Sequence, residues 1–305
     1  VYDSAILVLQ DAVRLQSRPT GDATELGEAL SELANSQFYI GHFRISDSIN
    51  HQVLAIDRQV YGDRHPRVAD DLINLGAIQH EMGDYPQAEH SYRQALEIER
   101  AWYGTENPEV ASALTMLGRT LVMEQRYDDA DSLLREALAI QEHAYGPVHP
   151  RVASALNALG TAELSRGALD NAQSDFIRMR AIYESVYGDH HYLLGIAASD
   201  LGSVAYARHD DRAAERLFRD AIRRLTASLS ADHLNTGIAR IKLGQVLVHE
   251  RRYAEAEGDL RAGYQIVANQ TKPSETWLSS ARSALAMVYD SLHEPRQLPP
   301  MTPRP

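Results

Sequence analysis

The stretch YGDRHPRVADDLINLG, Tyr61 to Gly76, decides the fold because the chain writes it more than once. It returns as YGTENPEVASALTMLG from Tyr103, as YGPVHPRVASALNALG from Tyr145 and, eroded, as YGDHHYLLGIAASDLG from Tyr187, each copy 42 residues after the last. Laid against itself at that interval, the chain puts Gly76, Gly118, Gly160, Gly202 and Gly244 in one register, each behind a leucine. A second register holds Ala88, Ala130, Ala172, Ala214 and Ala256, and a third Tyr61, Tyr103, Tyr145 and Tyr187. A fixed period of this kind marks a repeat array, in which each unit buries its apolar surface on its neighbours.

Within a copy the apolar spacing is helical. Val68, Leu72, Leu75 and Ile78 step by three and four, as do Ala88, Tyr92 and Ala95, so each unit reads as two helices. The turn between them is short, MGDY at Met82 to Tyr85 and RGALD at Arg166 to Asp170, which forces the pair antiparallel. In the turn between units, Gly62, Gly104, Gly146 and Gly188 stand where a left-handed residue ends a helix, and Pro66, Pro108 and Pro150 stand at the first helical position. His65, Asn107 or His149 precedes each proline. Asn107 is expected to cap its helix, and the histidines are read as structural rather than metal-binding, because they fall on different units.

Leu75-Gly76, Gly83, Tyr85, Ala88, Tyr92 and Ala95 carry a resemblance to the tetratricopeptide repeat (TPR), in the 42-residue form of kinesin light chains. Relative to the usual unit of about 34 residues, the longer period adds about two helical turns per hairpin. The resemblance implies an all-α protein, a right-handed superhelical solenoid of antiparallel hairpins. Traced outward, the registers give residues 1–19 as the second helix of a truncated repeat and 20–271 as six units, 20–61, 62–103, 104–145, 146–187, 188–229 and 230–271. A terminal helix is expected over 272–293 and an extended proline-rich tail over 294–305, where Pro300 to Pro303 has the PxxP form. The chain opens at Val1 in mid-pattern and is expected to be part of a longer protein. Met179 stands where other units have Ala95, Ala137 and Ala221, and Tyr192 where proline is usual, so altered packing is expected over 176–200.

Forty-two acidic against 30 basic residues give a net charge of −12, which argues against binding to duplex nucleic acid or to anionic membranes. There is no cysteine, hence no disulfide framework or thiolate metal site, and no apolar run near the ~20 residues that span a bilayer. Neither a phosphate-binding glycine loop with lysine, nor GxSxG, nor HExxH occurs. Catalytic residues, metals and cofactors are therefore not expected in this segment. His190-His191 and the pair His80 and His90 are read as solvated surface, since no third ligand stands at a metal-binding spacing.

The TPR resemblance implies a concave groove lined by the first helix of each hairpin, at positions six, three and two before the register glycine and one and four after it. Asn35, Asn74, His80, Arg119, Asn157, Asp200, Tyr206, Lys242 and Gln245 are the candidate groove residues. A face of this composition, rich in Ser, Thr and Asn besides, suits an extended protein or peptide ligand. Asn35 and Asn74 match the asparagines of the family's chaperone-tail clamp, but Ser31, Ser112 and Met116 stand where its basic residues should be. Of the asparagines that line the groove of kinesin light chains, only Asn74 and Asn157 remain near those places, so the resemblance does not carry over their cargo binding. The last third, with DHLNTGIARIKLGQVLVHERRYAEAE, is similar to the C-terminal repeats of a class of bacterial Ser/Thr protein kinases, which implies a regulatory or sensor region of a signalling protein with a kinase domain before Val1. Such a segment is expected in the cytoplasm, or outside it in a membrane-anchored kinase. The alternative is a structural module that self-associates through terminal helices around Ala5 to Leu15 and Trp277 to Tyr289.

Overall fold

The computed structural model describes residues 2–16 and 22–292, so the tail over 294–305 and its PxxP motif lie outside the described residues. The described chain is all helix and turn. In order the helices are α1 (Tyr2–Gln16), α2 (Ala23–Tyr39), α3 (Phe43–Tyr61), α4 (Pro66–Glu81), α5 (Tyr85–Tyr103), α6 (Pro108–Met123) and α7 (Tyr127–Tyr145), which form one compact unit. A second unit holds α8 (Pro150–Ser165), α9 (Leu169–Tyr187), α10 (Tyr192–Ala207), α11 (Asp211–Ser228), α12 (Leu234–His249), α13 (Tyr253–Ala268) and α14 (Glu275–Leu292). In each unit consecutive helices pair as hairpins, and each hairpin stacks on the next. Helix α1 packs on α2, while α14 packs on both α12 and α13.

The hairpins close at the glycine register. A Cβ placed on Gly76, Gly118, Gly160, Gly202 or Gly244 would stand 2.7, 2.7, 2.7, 2.8 or 2.5 Å from a side-chain carbon of Tyr92, Leu134, Phe176, Phe218 or Leu260. The first helix is notched, and a large residue of the second helix fills the notch. Those five fillers are almost wholly buried, with the alanines Ala88, Ala130, Ala172, Ala214 and Ala256 packed one turn before them. Met179 is also fully buried, as are Ala95, Ala137 and Ala221 at its register.

The turn inside each hairpin ends the first helix by a paired closure. Gly83 N–H donates to His80 C=O at 3.0 Å and Asp84 N–H to Gln79 C=O at 2.9 Å, with Gly83 at φ +79°. Gln125, His209 and Arg251 occupy the same turn position at φ +62°, +59° and +61°, a conformation that strains a residue carrying a Cβ.

Between hairpins, Gly62 and Gly104 take a positive φ as expected, but not the ordinary left-handed cap: their ψ values are 159° and 165°. The chain must leave one helix extended to enter the next within three residues, and that combination is open essentially to glycine alone. The histidines after them are helix caps. Nδ1 of His65, His149, His191 and His233 accepts from the N–H two residues on at 3.2, 3.1, 3.4 and 3.2 Å, and Asn107 Oδ1 does the same at 2.9 Å. This corrects the reading of His191 as solvated surface, and it requires the neutral ring with its proton on Nε2. The tyrosine register gains a role from it, because Tyr61 stacks on His65 at 4.8 Å and Tyr187 on His191 at 4.3 Å. Helices α10 and α12, which lack the proline, start on the histidine cap alone.

Two stability outcomes follow, both read by thermal denaturation. Gly118→Leu drives atoms into Leu134 and is expected to cost about 1–3 kcal/mol or more; an unchanged Tm would reject the notch. Gln125→Gly and Arg251→Gly, which relieve a positive φ, are each expected to stabilise by about 0.5–1 kcal/mol, and destabilisation by either would contradict the strain.

Candidate functional site

In the first unit the helices α2, α4 and α6 carry Asn35, Asn74, His80 and Arg119. Asn35 and Asn74 are partly buried and Arg119 is exposed, and none of the three has a side-chain hydrogen bond among the described residues. His80 differs from expectation. It is half-buried, its Nδ1 lies 3.1 Å from the Thr120 hydroxyl of α6, and its ring meets Tyr85 edge-on at 5.3 Å. Burial, assisted by Arg119, pushes its pKa down, so the neutral ring fastens α4 to α6 rather than standing in solvent.

Beside Asn74 a cavity of about 630 Å³ opens between α1, α2, α3 and α4. Glu25, Glu28 and Glu32 of α2, Asp57 of α3 and Asp70 and Asp71 of α4 line it, with Arg67 as its cation. The guanidinium of Arg67 is engaged, donating to Glu28 Oε1 at 3.0 Å and to the Tyr61 hydroxyl at 2.6 Å. Asp71 is only 5 % exposed, and its Oδ2 has no hydrogen-bond partner. Burial, then the charges of Asp57 and Asp70, push its pKa up to about 7 against the attraction of Arg67 and Arg58. Burial raises Asp57 and Asp70 as well. Glu99 on α5, 3 % exposed and also with an unpartnered oxygen, is pushed to about 7 by burial and by Glu109 and Asp70.

Glu28, Glu32 and Asp70 fall at groove positions of the repeat, whereas Asp57, Asp71 and Glu99 do not, although a signal for them was there. Asp71 stands in a register otherwise held by Ala29, Ala113, Ala155, Ala197 and Ala239, and Asp57 and Glu99 in one that continues as Gln141, Tyr183, Leu225 and Val267. The other copies of the Asp71 register all carry alanine, and the Asp57 and Glu99 register passes through an uncharged amide to Tyr, Leu and Val, so a buried acid is out of keeping with packing.

The second unit uses its inner residues on one another. Asn157 Nδ2 of α8 donates to Asp200 Oδ2 of α10 at 3.0 Å. Lys242 Nζ of α12 donates to Ser203 and Ser199 of α10 at 2.9 and 3.3 Å, and lies 5.5 Å from the centre of the Trp277 ring of α14. Gln245 donates to Ser280 of α14 at 2.7 Å. Burial raises the Asp200 carboxyl and lowers the Lys242 ammonium, each opposed by the other's charge. Tyr206 is partly buried, edge-on to His249 at 6.3 Å. Asn157, Asp200, Lys242 and Gln245 thus form lateral ties between first helices, and much of their bonding capacity is spent there. Among the described residues no group of three His, Asp or Glu side chains is placed to hold a metal ion, and no helix is long and apolar enough to cross a membrane.

Family models described as tetratricopeptide repeat match residues 25–101, 74–143, 109–174 and 151–227, and a further one 200–271. The chain belongs to the tetratricopeptide repeat family. Several solved structures resemble it in fold. BtubC (BKLC) from P. vanneervenii superposes with a TM-score of 0.63 at 24% identity, over 74% of this chain and 92% of that one. A kinesin-light-chain-like protein of nearly identical repeats from Podosopora anserina gives 0.58 at 19% identity, over 67% and 97%. A Rap protein complexed with competence and sporulation factor gives 0.65 at 13%, over 97% and 82%. No curated protein matches the chain.

The buried acids predict how the TPR repeats respond to pH. Folded Asp71 and Glu99 titrate near 7, whereas free carboxylates titrate near 4. Between these values the native state holds protons that the unfolded chain has released, so stability falls as pH rises from about 4 to about 7 and levels off above. The slope is at most about 1.4 kcal/mol per pH unit for each group. Asp71→Asn is expected to raise Tm at pH 8 and to flatten the slope; denaturation from pH 5 to 8 checks both.

Proposed function

We infer that this TPR segment is a protein-binding scaffold whose first helices in the first unit receive an extended peptide. Its repeats are taken as the six 42-residue units over 20–271. The observation that carries this reading is the contrast between the units. Asn35, Asn74 and Arg119 have no hydrogen-bond partner among the described residues, whereas Asn157, Lys242 and Gln245 are tied to neighbouring helices. Open amides and a guanidinium on successive helices can pair with the backbone and side chains of a ligand. The Rap protein of similar fold, held with its factor, supports ligand binding as a use of such an array. The similarity of the last third to kinase-borne repeats supports a place in the regulatory region of a signalling protein such as a bacterial Ser/Thr kinase.

The test is a titration of a partner recovered from a peptide array, with wild-type and Asn35→Ala/Asn74→Ala/Arg119→Ala protein side by side. Arg119 is exposed and the partly buried asparagines make no side-chain hydrogen bond among the described residues, so each substitution is expected to change stability by no more than about 1 kcal/mol. Affinity is expected to fall about tenfold or more, about 1.4 kcal/mol. Equal affinities would reject this face. A second reading, self-association, is favoured by Leu7 and Val8 of α1, which are 66 % and 68 % exposed. Light scattering across a concentration series separates it, since a constant monomer mass removes it.

A further inference from the structure

We propose that the acidic cavity between α1, α2, α3 and α4 is the pocket for a basic side chain, lysine or arginine, of the peptide that the first unit binds. The proposal rests on the peptide-binding reading above and names the chemistry of the ligand. Among the described residues six carboxylates line the cavity against the single guanidinium of Arg67, and that guanidinium is already held by Glu28 and Tyr61. Glu25, Glu28 and Glu32 repeat at helical spacing, so three like charges share one face of α2. Asp57 is reached from the cavity because Gly27 on the wall has no Cβ, where one would stand 3.2 Å from Asp57 Oδ1.

The deciding group is Asp71. It is one of the residues that line the cavity and is more than nine-tenths buried, with Oδ2 unpartnered. A buried carboxylate without a partner costs stability, and packing alone does not call for one where five other copies of the register carry alanine. The cost disappears when a cation enters. An ammonium or guanidinium in the cavity would offset the charge of the Asp71 carboxylate and lower the repulsion among Asp57, Asp70 and Asp71. The volume of about 630 Å³ falls within the roughly 300–1,000 Å³ of small-ligand pockets, ample for one long side chain. No three of these acids converge as metal ligands among the described residues, which favours an organic cation whose donors spread over several carboxylates. The cavity adjoins Asn74, so a peptide lying on α2 and α4 could place one side chain in it.

The experiment uses the full chain and calorimetric titration with the blocked peptide Gly-Ser-Lys-Arg-Ser-Gly, its Glu-Glu counterpart, and spermidine. Saturable binding of the Lys-Arg peptide is expected, with none for the Glu-Glu peptide and an affinity loss of about tenfold or more in both Asp71→Asn and Glu32→Gln. At pH 7 binding should also release protons, seen as a dependence of the heat on buffer, because the entering cation drives Asp71 to its ionised form. Asp71→Asn should be the more stable protein, so its loss of binding could not be put down to misfolding. Absence of binding by the Lys-Arg peptide, binding unaffected by either substitution, or equal binding of the Glu-Glu peptide would overturn the proposal. Spermidine binding as tightly as the peptide would assign the pocket to free amines and overturn the peptide assignment. A mixed-peptide array distinguishes the two readings: hits that lack basic residues but depend on Asn74 overturn this one alone, and no hit at all overturns both.

Discussion

Everything in either unit depends on a notch and its filler. A helix can approach its partner closely only where a side chain is small or missing, and the register glycine provides that absence in five hairpins, with Ala34 at the same register of α2. The residue sixteen positions later fills it: Tyr92, Leu134, Phe176, Phe218 or Leu260. Because tyrosine, leucine and phenylalanine all serve, the constraint is volume and close approach rather than chemistry. The remaining features keep that contact in place. The short inner turn makes the helices antiparallel, and the glycine after the second helix turns the chain sharply enough for the next helix to begin on its histidine or asparagine cap.

With packing secured by so few positions, the other faces of the helices are free to differ. The second unit spends its polar inner residues on lateral ties, Asn157 to Asp200 and Lys242 to two serines, which hold first helices to one another. The first unit has no equivalent ties at Asn35 and Asn74, and it carries Asp71, with an unpartnered oxygen, where the other copies of its register carry alanine. A shared backbone plan thus supports an inner face closed by its own bonds in one unit and a face with bonding capacity to spare in the other.

The fold was legible because it is periodic. The 42-residue registers mark helix ends, turns and close approaches, and the helix bounds near Pro66, Pro108 and Pro150 fall where proline and cap chemistry puts them. What was not legible lay off the period. The strained turn residues Gln125, His209 and Arg251 look like ordinary polar loop, since only their alignment with Gly83 betrays the positive φ. His80 reads as surface because its partner Thr120 is on another hairpin, 40 residues away. The expected groove positions fall on the first helices of the hairpins, but which of those side chains are already engaged was not legible, because pairing between neighbours depends on rotamers and lateral distance rather than on register.

Asp71 shows how far such departures carry an argument. At neutral pH its position makes the fold less stable than an alanine or asparagine would, and the neighbouring Asp57, Asp70 and Glu99 share the same penalty of burial and like charge. A repeat array has no need of this, because the same register in every other copy packs an alanine without cost. Asp57, Asp70 and Asp71 line one cavity with like charge that packing does not require, and the basic side chain proposed for that cavity would offset it.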